Sequence, residues 1–117
     1  MADAKKILII DDEIDLSLLL KDYFVRKKYE VFLTHTLSEG KDLLQQNTPD
    51  ILILDNNLPD GTGWNLAPDI ATSFPGIYIV LVSAFHPSVP EMPLGASFRV
   101  IEKPITRADL DKQFHEF

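Results

Sequence analysis

Five short apolar runs rich in β-branched residues recur along the chain: Ile7-Leu8-Ile9-Ile10, Val31-Phe32-Leu33, Ile51-Leu52-Ile53-Leu54, Ile77-Tyr78-Ile79-Val80-Leu81-Val82 and Phe98-Arg99-Val100-Ile101. Several lack polar alternation, the pattern of strands covered on both faces. Between the first and second runs, Leu16, Leu19, Leu20, Tyr23 and Phe24 fall at helical spacing, and the segment closes on Arg26-Lys27-Lys28, where cations suit a helix C-terminus. The next interval predicts a helix capped by Ser38, carrying Leu37, Lys41, Leu43 and Leu44 and stopped by Pro49-Asp50. A third helix is predicted over about Thr62 to Ser73, closed by Pro75-Gly76, and a last one follows Thr106 as N-cap, with Leu110 and Phe114 four residues apart. Strands alternating with helices imply right-handed crossovers, hence a parallel sheet with helices on both faces: a doubly wound α/β sandwich.

Prolines interrupt this rhythm twice. Pro68 falls inside the third helical pattern, where an interior proline costs about 3 kcal/mol, so the helix starts near it or bends there. Between the fourth and fifth strands, Pro87, Pro90 and Pro93 recur every third residue. A loop, or at most one helical turn, is expected in place of a fourth helix.

At 117 residues, 45% hydrophobic and 25% charged, the chain is expected to form one domain spanning 1–117. Eighteen acidic residues against eleven basic ones leave a net charge of −7, which argues against this domain neutralising nucleic-acid phosphates. With no cysteine, disulfides and thiolate metal sites are excluded. The first apolar run holds only four residues, far too few for a signal segment or a membrane span, so a soluble, cytoplasmic protein is expected.

In a parallel α/β sheet, ligands bind at the carboxyl ends of the strands. There the chain carries Asp11-Asp12, Asp55, Ser83 and Lys103-Pro104. Three converging carboxylates repel one another unless a cation neutralises them. Oxygen-only ligands suit a hard ion such as Mg²⁺, which also binds phosphate. With Mg²⁺ and the Lys103 ammonium drawing charge from an incoming phosphoryl group, Asp55 is the candidate nucleophile and Ser83 a hydrogen-bond donor. Taken singly, each feature has a plainer reading: Asp12 or Glu13 as a helix cap, Asp55-Asn56-Asn57 as a turn, Lys103 as a solvated charge. His35, His86 and His115 are read as surface residues.

These residues stand in Ile9-Ile10-Asp11-Asp12-Glu13, in Asp50-Ile51-Leu52-Ile53-Leu54-Asp55-Asn56-Asn57-Leu58-Pro59-Asp60-Gly61, in Val82-Ser83-Ala84 and in Glu102-Lys103-Pro104. In order and spacing the whole chain resembles the CheY-like receiver domains of two-component response regulators. That resemblance implies a flavodoxin-like strand order 2-1-3-4-5. It also implies Asp55 as phosphoacceptor, aided by Lys103 and Ser83, and Mg²⁺ ligated by Asp12, Asp55 and the backbone carbonyl of Asn57, and by Asp11 directly or through water. A cis bond before Pro104 is usual in the family. The domain would be a signalling switch that catalyses only its own phosphoryl transfer and dephosphorylation. Its partners would be a sensor histidine kinase, docking near the first helix, or a phosphotransfer protein, with an output domain beyond residue 117 if the chain is part of a longer regulator.

Two alternatives come from other classes. A haloacid-dehalogenase-type Mg²⁺-dependent phosphatase needs a second aspartate two residues after the nucleophile, where this chain has Asn57. A pseudo-receiver, a binding module outside phosphorylation control, would not need the full residue set present here. The chain departs from the family on the fifth strand, where Val100 replaces the usual Tyr or Phe, with Phe98 on the same strand face as a partial substitute. Together with the proline-rich segment, this predicts retained phosphoryl chemistry and altered output through that face.

Overall fold

The apolar runs assemble into one parallel sheet, described here from a computed structural model covering residues 4–85 and 87–117. Its elements are β1 (Lys6–Ile10), α1 (Ile14–Arg26), β2 (Glu30–Thr34), α2 (Leu37–Gln46), β3 (Ile51–Asp55), α3 (Ala67–Ser73), β4 (Tyr78–Ser83), β5 (Phe98–Glu102) and α4 (Arg107–Phe114). The sheet order is β2-β1-β3-β4-β5, all neighbours parallel. The flavodoxin-like order expected from the sequence is therefore the order found.

Side-chain alternation along the central strands sorts the core into two layers. Ile7, Ile9, Ile51, Ile53, Val80, Val82 and Ile101 face α1 and α4, packing on Leu16, Leu20, Phe24, Leu110 and Phe114. Leu8, Ile10, Leu52, Leu54, Ile79 and Leu81 face the other way, onto Leu37 and Leu44 of α2 and Ala67, Ile70 and Ala71 of α3. Because β1, β3 and β4 are covered on both sides, their sequences carry no polar alternation.

Proline acts as the sequence predicts. The third helical segment begins as a 3₁₀ turn at Gly63–Leu66, and α3 follows with Pro68 in its first turn, where no backbone N–H is needed. Among the described residues between β4 and β5 there is no helix. On β5, Phe98 is therefore 36% exposed and Val100 45%, whereas Ile101 on the opposite face is buried. The Lys103-Pro104 bond is cis.

Two local expectations are corrected. Ser38 does not cap α2. Thr36 is its N-cap and accepts the Glu39 N–H, while the N–H groups of Leu37 and Ser38 donate to the carboxylate of Asp60 at 2.8 and 3.0 Å. His35 is half-buried rather than on the surface, because its ring reaches the end of β1 and donates to the Asp11 carbonyl at 2.8 Å. His115 is exposed as expected, and His86 lies outside the described residues. Thr106 does cap α4, in a reciprocal capping box with Asp109.

Candidate functional site

The register of the sheet determines which polar residues meet. Ile10 pairs with Leu54 across β1 and β3, so Asp11 emerges beside Asp55; Ser83 pairs with Glu102, so Lys103 follows at the same sheet edge, its N–H donating to the Ser83 carbonyl at 3.0 Å. Asp11, Asp12 and Asp55 each offer a carboxylate oxygen, and these oxygens lie within 4.8 Å of one another. The Lys103 ammonium stands 3.1 Å from Asp11 Oδ2, 3.4 Å from Asp55 Oδ2 and 3.4 Å from Glu13 Oε1.

Burial dominates the electrostatics. Asp11 is fully buried and Asp55 2% exposed, whereas Asp12 is exposed. Desolvation pushes the Asp55 carboxyl up to about 6; the nearby Asp11 charge adds to this and Lys103 opposes it. Asp11 is likewise raised by burial, against the Glu13 N–H, which donates to its Oδ1 at 2.8 Å, and against Lys103. Burial acts to lower the Lys103 ammonium, but Asp11, Asp55 and Glu13 together outweigh it and leave it raised.

A metal fits this chemistry. One cation faces a cluster of three carboxylates, and the buried Asp11 Oδ2 has an ion-pair contact with that ammonium at 3.1 Å but accepts no hydrogen bond. A small oxygen-only set open to solvent on one side is a donor set for a hard divalent ion rather than for a soft one. The cluster opens into a cavity of about 260 Å³ lined by Asp12, Glu13, Asp55, Asn57, Ala84, Phe85 and Lys103. Asn57 is thus at the site. Ser83 is buried and does not line that cavity; its Oγ accepts the Phe85 N–H at 3.2 Å and keeps its own proton to donate.

Several residues that sequence reasoning passed over hold the site in place. The indole N–H of Trp64 is shared between the carbonyls of Leu54 and Val82, each at 3.2 Å, tying β3 to β4 just where Asp55 emerges. Asn56 closes the loop after it: its carbonyl accepts the Gly63 N–H at 2.9 Å and its side chain the Trp64 N–H at 3.2 Å. Gly63 must be glycine, since a Cβ there would lie 2.1 Å from the Asp55 carbonyl oxygen. The one signal in the sequence was the lone tryptophan directly after a glycine and close behind the aspartate. His35, bonded to the Asp11 carbonyl, gave no signal at all.

The chain matches the family described as the response regulator receiver domain over residues 7–115. It is 31% identical over 107 residues to the response regulator SaeR of Staphylococcus epidermidis, covering 89% of this chain and 46% of that protein. It is 29% identical over 104 residues to the response regulator protein PilR of Pseudomonas aeruginosa, covering 86% of this chain and 23% of that protein. The chain thus spans less than half the length of these curated relatives. Among solved structures, a CheY-like receiver domain protein of Methanospirillum hungatei superposes with a TM-score of 0.78 at 25% identity, covering 97% of this chain and 93% of that one. The non-phosphorylated HemR receiver domain of Leptospira biflexa does so with a TM-score of 0.78 at 26% identity, covering 96% and 92%.

Proposed function

Because the chain belongs to the response regulator receiver domain family, we propose that it is a phosphorylation switch whose Asp55 accepts a phosphoryl group from a phosphohistidine on a sensor histidine kinase or phosphotransfer protein. The observation that carries this reading is the buried Asp55 carboxyl, at ion-pair distance from the Lys103 ammonium and itself one of three carboxylates whose oxygens lie within 4.8 Å of one another.

In this mechanism the carboxylates of Asp11, Asp12 and Asp55 and the backbone carbonyl of Asn57 would hold Mg²⁺, which supplies charge neutralisation for the cluster and for phosphate oxygens. An Asp55 oxygen forms the new P–O bond as the donor's P–N bond breaks, its electron pair leaving with the imidazole. Lys103, held beside Asp11 and Asp55, pairs with a phosphoryl oxygen, and the Ser83 hydroxyl donates to another. The raised pKa of Asp55 describes the carboxyl before any cation is bound; at neutral pH it remains largely ionised and nucleophilic. The domain is a signalling module, turning over only its own phosphoryl group.

Output is proposed to differ from the family's usual route. Support comes from the lack of a helix among the described residues between β4 and β5, and from Val100 and Phe98 lying exposed on β5. The net charge of −7 favours a regulatory rather than a nucleic-acid-reading role, leaving any DNA binding to an output domain joined to it. Among the described residues no helix is long and apolar enough to cross a membrane.

The test is incubation with acetyl phosphate, with and without Mg²⁺, followed by intact mass. The expected result is a Mg²⁺-dependent gain of one phosphoryl group that Asp55→Asn lacks. No adduct, and no binding of beryllofluoride, would make the chain a binding module outside phosphorylation control.

A further inference from the structure

The loop that presents Asp11 and Asp12 is anchored by a residue from the neighbouring strand. His35 follows β2 directly, and the pairing of Ile10 with Thr34 brings it alongside Asp11, whose N–H donates to the Thr34 carbonyl at 3.1 Å. The His35 Nδ1–H donates to the Asp11 carbonyl at 2.8 Å; a carbonyl can only accept, so that nitrogen carries the hydrogen. Ser17 is a weaker claimant on the same oxygen. Its hydroxyl lies 3.2 Å from the Asp11 carbonyl but 2.7 Å from that of Glu13, and a single proton serves the nearer acceptor.

The bonded carbonyl belongs to the peptide unit joining Asp11 to Asp12. Asp11's own side chain is held independently, by the Glu13 N–H at 2.8 Å and the Lys103 ammonium at 3.1 Å. Asp12 has no such support: it is exposed, and among the described residues no side chain pairs with its carboxylate. The direction in which Asp12 leaves the backbone therefore depends on the plane of that peptide, and His35 is the side chain that pins it. Groups that orient metal ligands from behind commonly contribute a tenfold or larger share of affinity.

Resting on the reading of the acidic cluster as a Mg²⁺ site, we propose that His35 is a positioning residue for the metal, holding the Asp11-Asp12 peptide so that the Asp12 carboxylate converges with those of Asp11 and Asp55. It touches neither phosphate nor metal and acts only through this backbone bond.

Two substitutions separate the N–H from the bulk of the ring. His35→Asn keeps an N–H donor at the same number of bonds from the backbone as Nδ1, and His35→Leu branches at the same atom with no donor. The measurement is calorimetric titration of MgCl₂ into the intact chain at one fixed pH, alongside urea unfolding in EDTA. His35→Leu is expected to weaken Mg²⁺ binding by about tenfold or more, with a urea midpoint close to that of the unsubstituted chain, and His35→Asn to recover affinity to within about twofold. Should His35→Leu fail to fold, His35→Ala takes its place against His35→Asn. The inference is overturned if the donor-free variant binds Mg²⁺ as the unsubstituted chain does, or if His35→Asn is as weak as the donor-free variant. It is likewise overturned if the loss of affinity only follows a loss of folding. If the unsubstituted chain itself binds no Mg²⁺, the metal reading of the cluster falls, and this inference with it. Unchanged binding by the variants beside firm binding by the unsubstituted chain removes only the role of His35.

Discussion

Buried at the end of β3, the Asp55 carboxyl is raised from 3.8 to about 6 by desolvation first and by the Asp11 charge second. A carboxyl with a raised folded-state pKa favours its protonated form in the fold. It therefore contributes stability that is fully present below about pH 4 and is lost as pH rises through about 6. In the metal-free protein, ionised Asp55 costs on the order of 2–3 kcal/mol at neutral pH. Urea unfolding in EDTA is accordingly expected to find Asp55→Asn more stable than the unsubstituted chain by that order at pH 7.5, with the difference closing towards pH 4. An unchanged gap across this range would show that the site does not strain the apo fold. The carboxylate proposed to accept the phosphoryl group is thus one the fold would prefer neutral.

At the scale of the element, α1 ends in a turn that its sequence does not favour. The Tyr29 N–H returns to the Phe24 carbonyl and the Lys28 N–H to that of Val25, while the Phe24 and Tyr29 rings meet edge to face at 5.2 Å. This is a Schellman closure, and its left-handed position, φ 72°, falls on Lys28. Any side chain there costs about 1–2 kcal/mol that glycine avoids, partly offset by glycine's greater freedom when unfolded. Lys28→Gly is therefore expected to stabilise the domain by about 1 kcal/mol, read as a higher urea midpoint with unchanged slope. The turn is kept because Phe24 is fully buried against Phe114 of α4, at 5.4 Å between ring centroids, and Tyr29 must close over it. A second closure joins elements across the site edge: Asp60, in the loop after β3, accepts the Leu37 and Ser38 N–H groups and so adds to the cap that Thr36 gives α2. The capping bonds hold the Asp60 carboxyl below its usual range.

For the molecule as a whole, the cluster exists only when β1 and β3 lie side by side, so an ion bound there favours the folded state alone. At a free Mg²⁺ concentration of about a hundred times its Kd, the native state is expected to gain about 2.7 kcal/mol, and chelation to remove it. Thermal unfolding in MgCl₂ against EDTA measures this, and an equal shift in Asp55→Asn would place the ion elsewhere. The sheet is asymmetric in its cover. Both faces of β1, β3 and β4 are buried, while on β5 the face bearing Phe98 and Val100 stands open and the opposite face packs Ile101 inward.

The pattern of apolar runs alone determined the five strands, their alternation with helices and the placement of Asp11, Asp12, Asp55, Ser83 and Lys103 at strand ends, because burial on both faces and helical spacing are written in consecutive residues. Pro68 and the prolines after β4 were equally legible, since proline acts on the backbone of its own segment. What only the tertiary structure decided are contacts between distant residues. His35 meets Asp11 across 24 positions, Asp60 reaches Leu37 across 23 and Trp64 meets Val82 across 18. Each depends on strand register and crossover geometry, so a histidine, an aspartate or a tryptophan read in its own neighbourhood carries no mark of the backbone group it will hold. The acidic site was visible as a list of polar residues at strand ends, and the scaffold that aims them became visible only when the sheet brought its strands together.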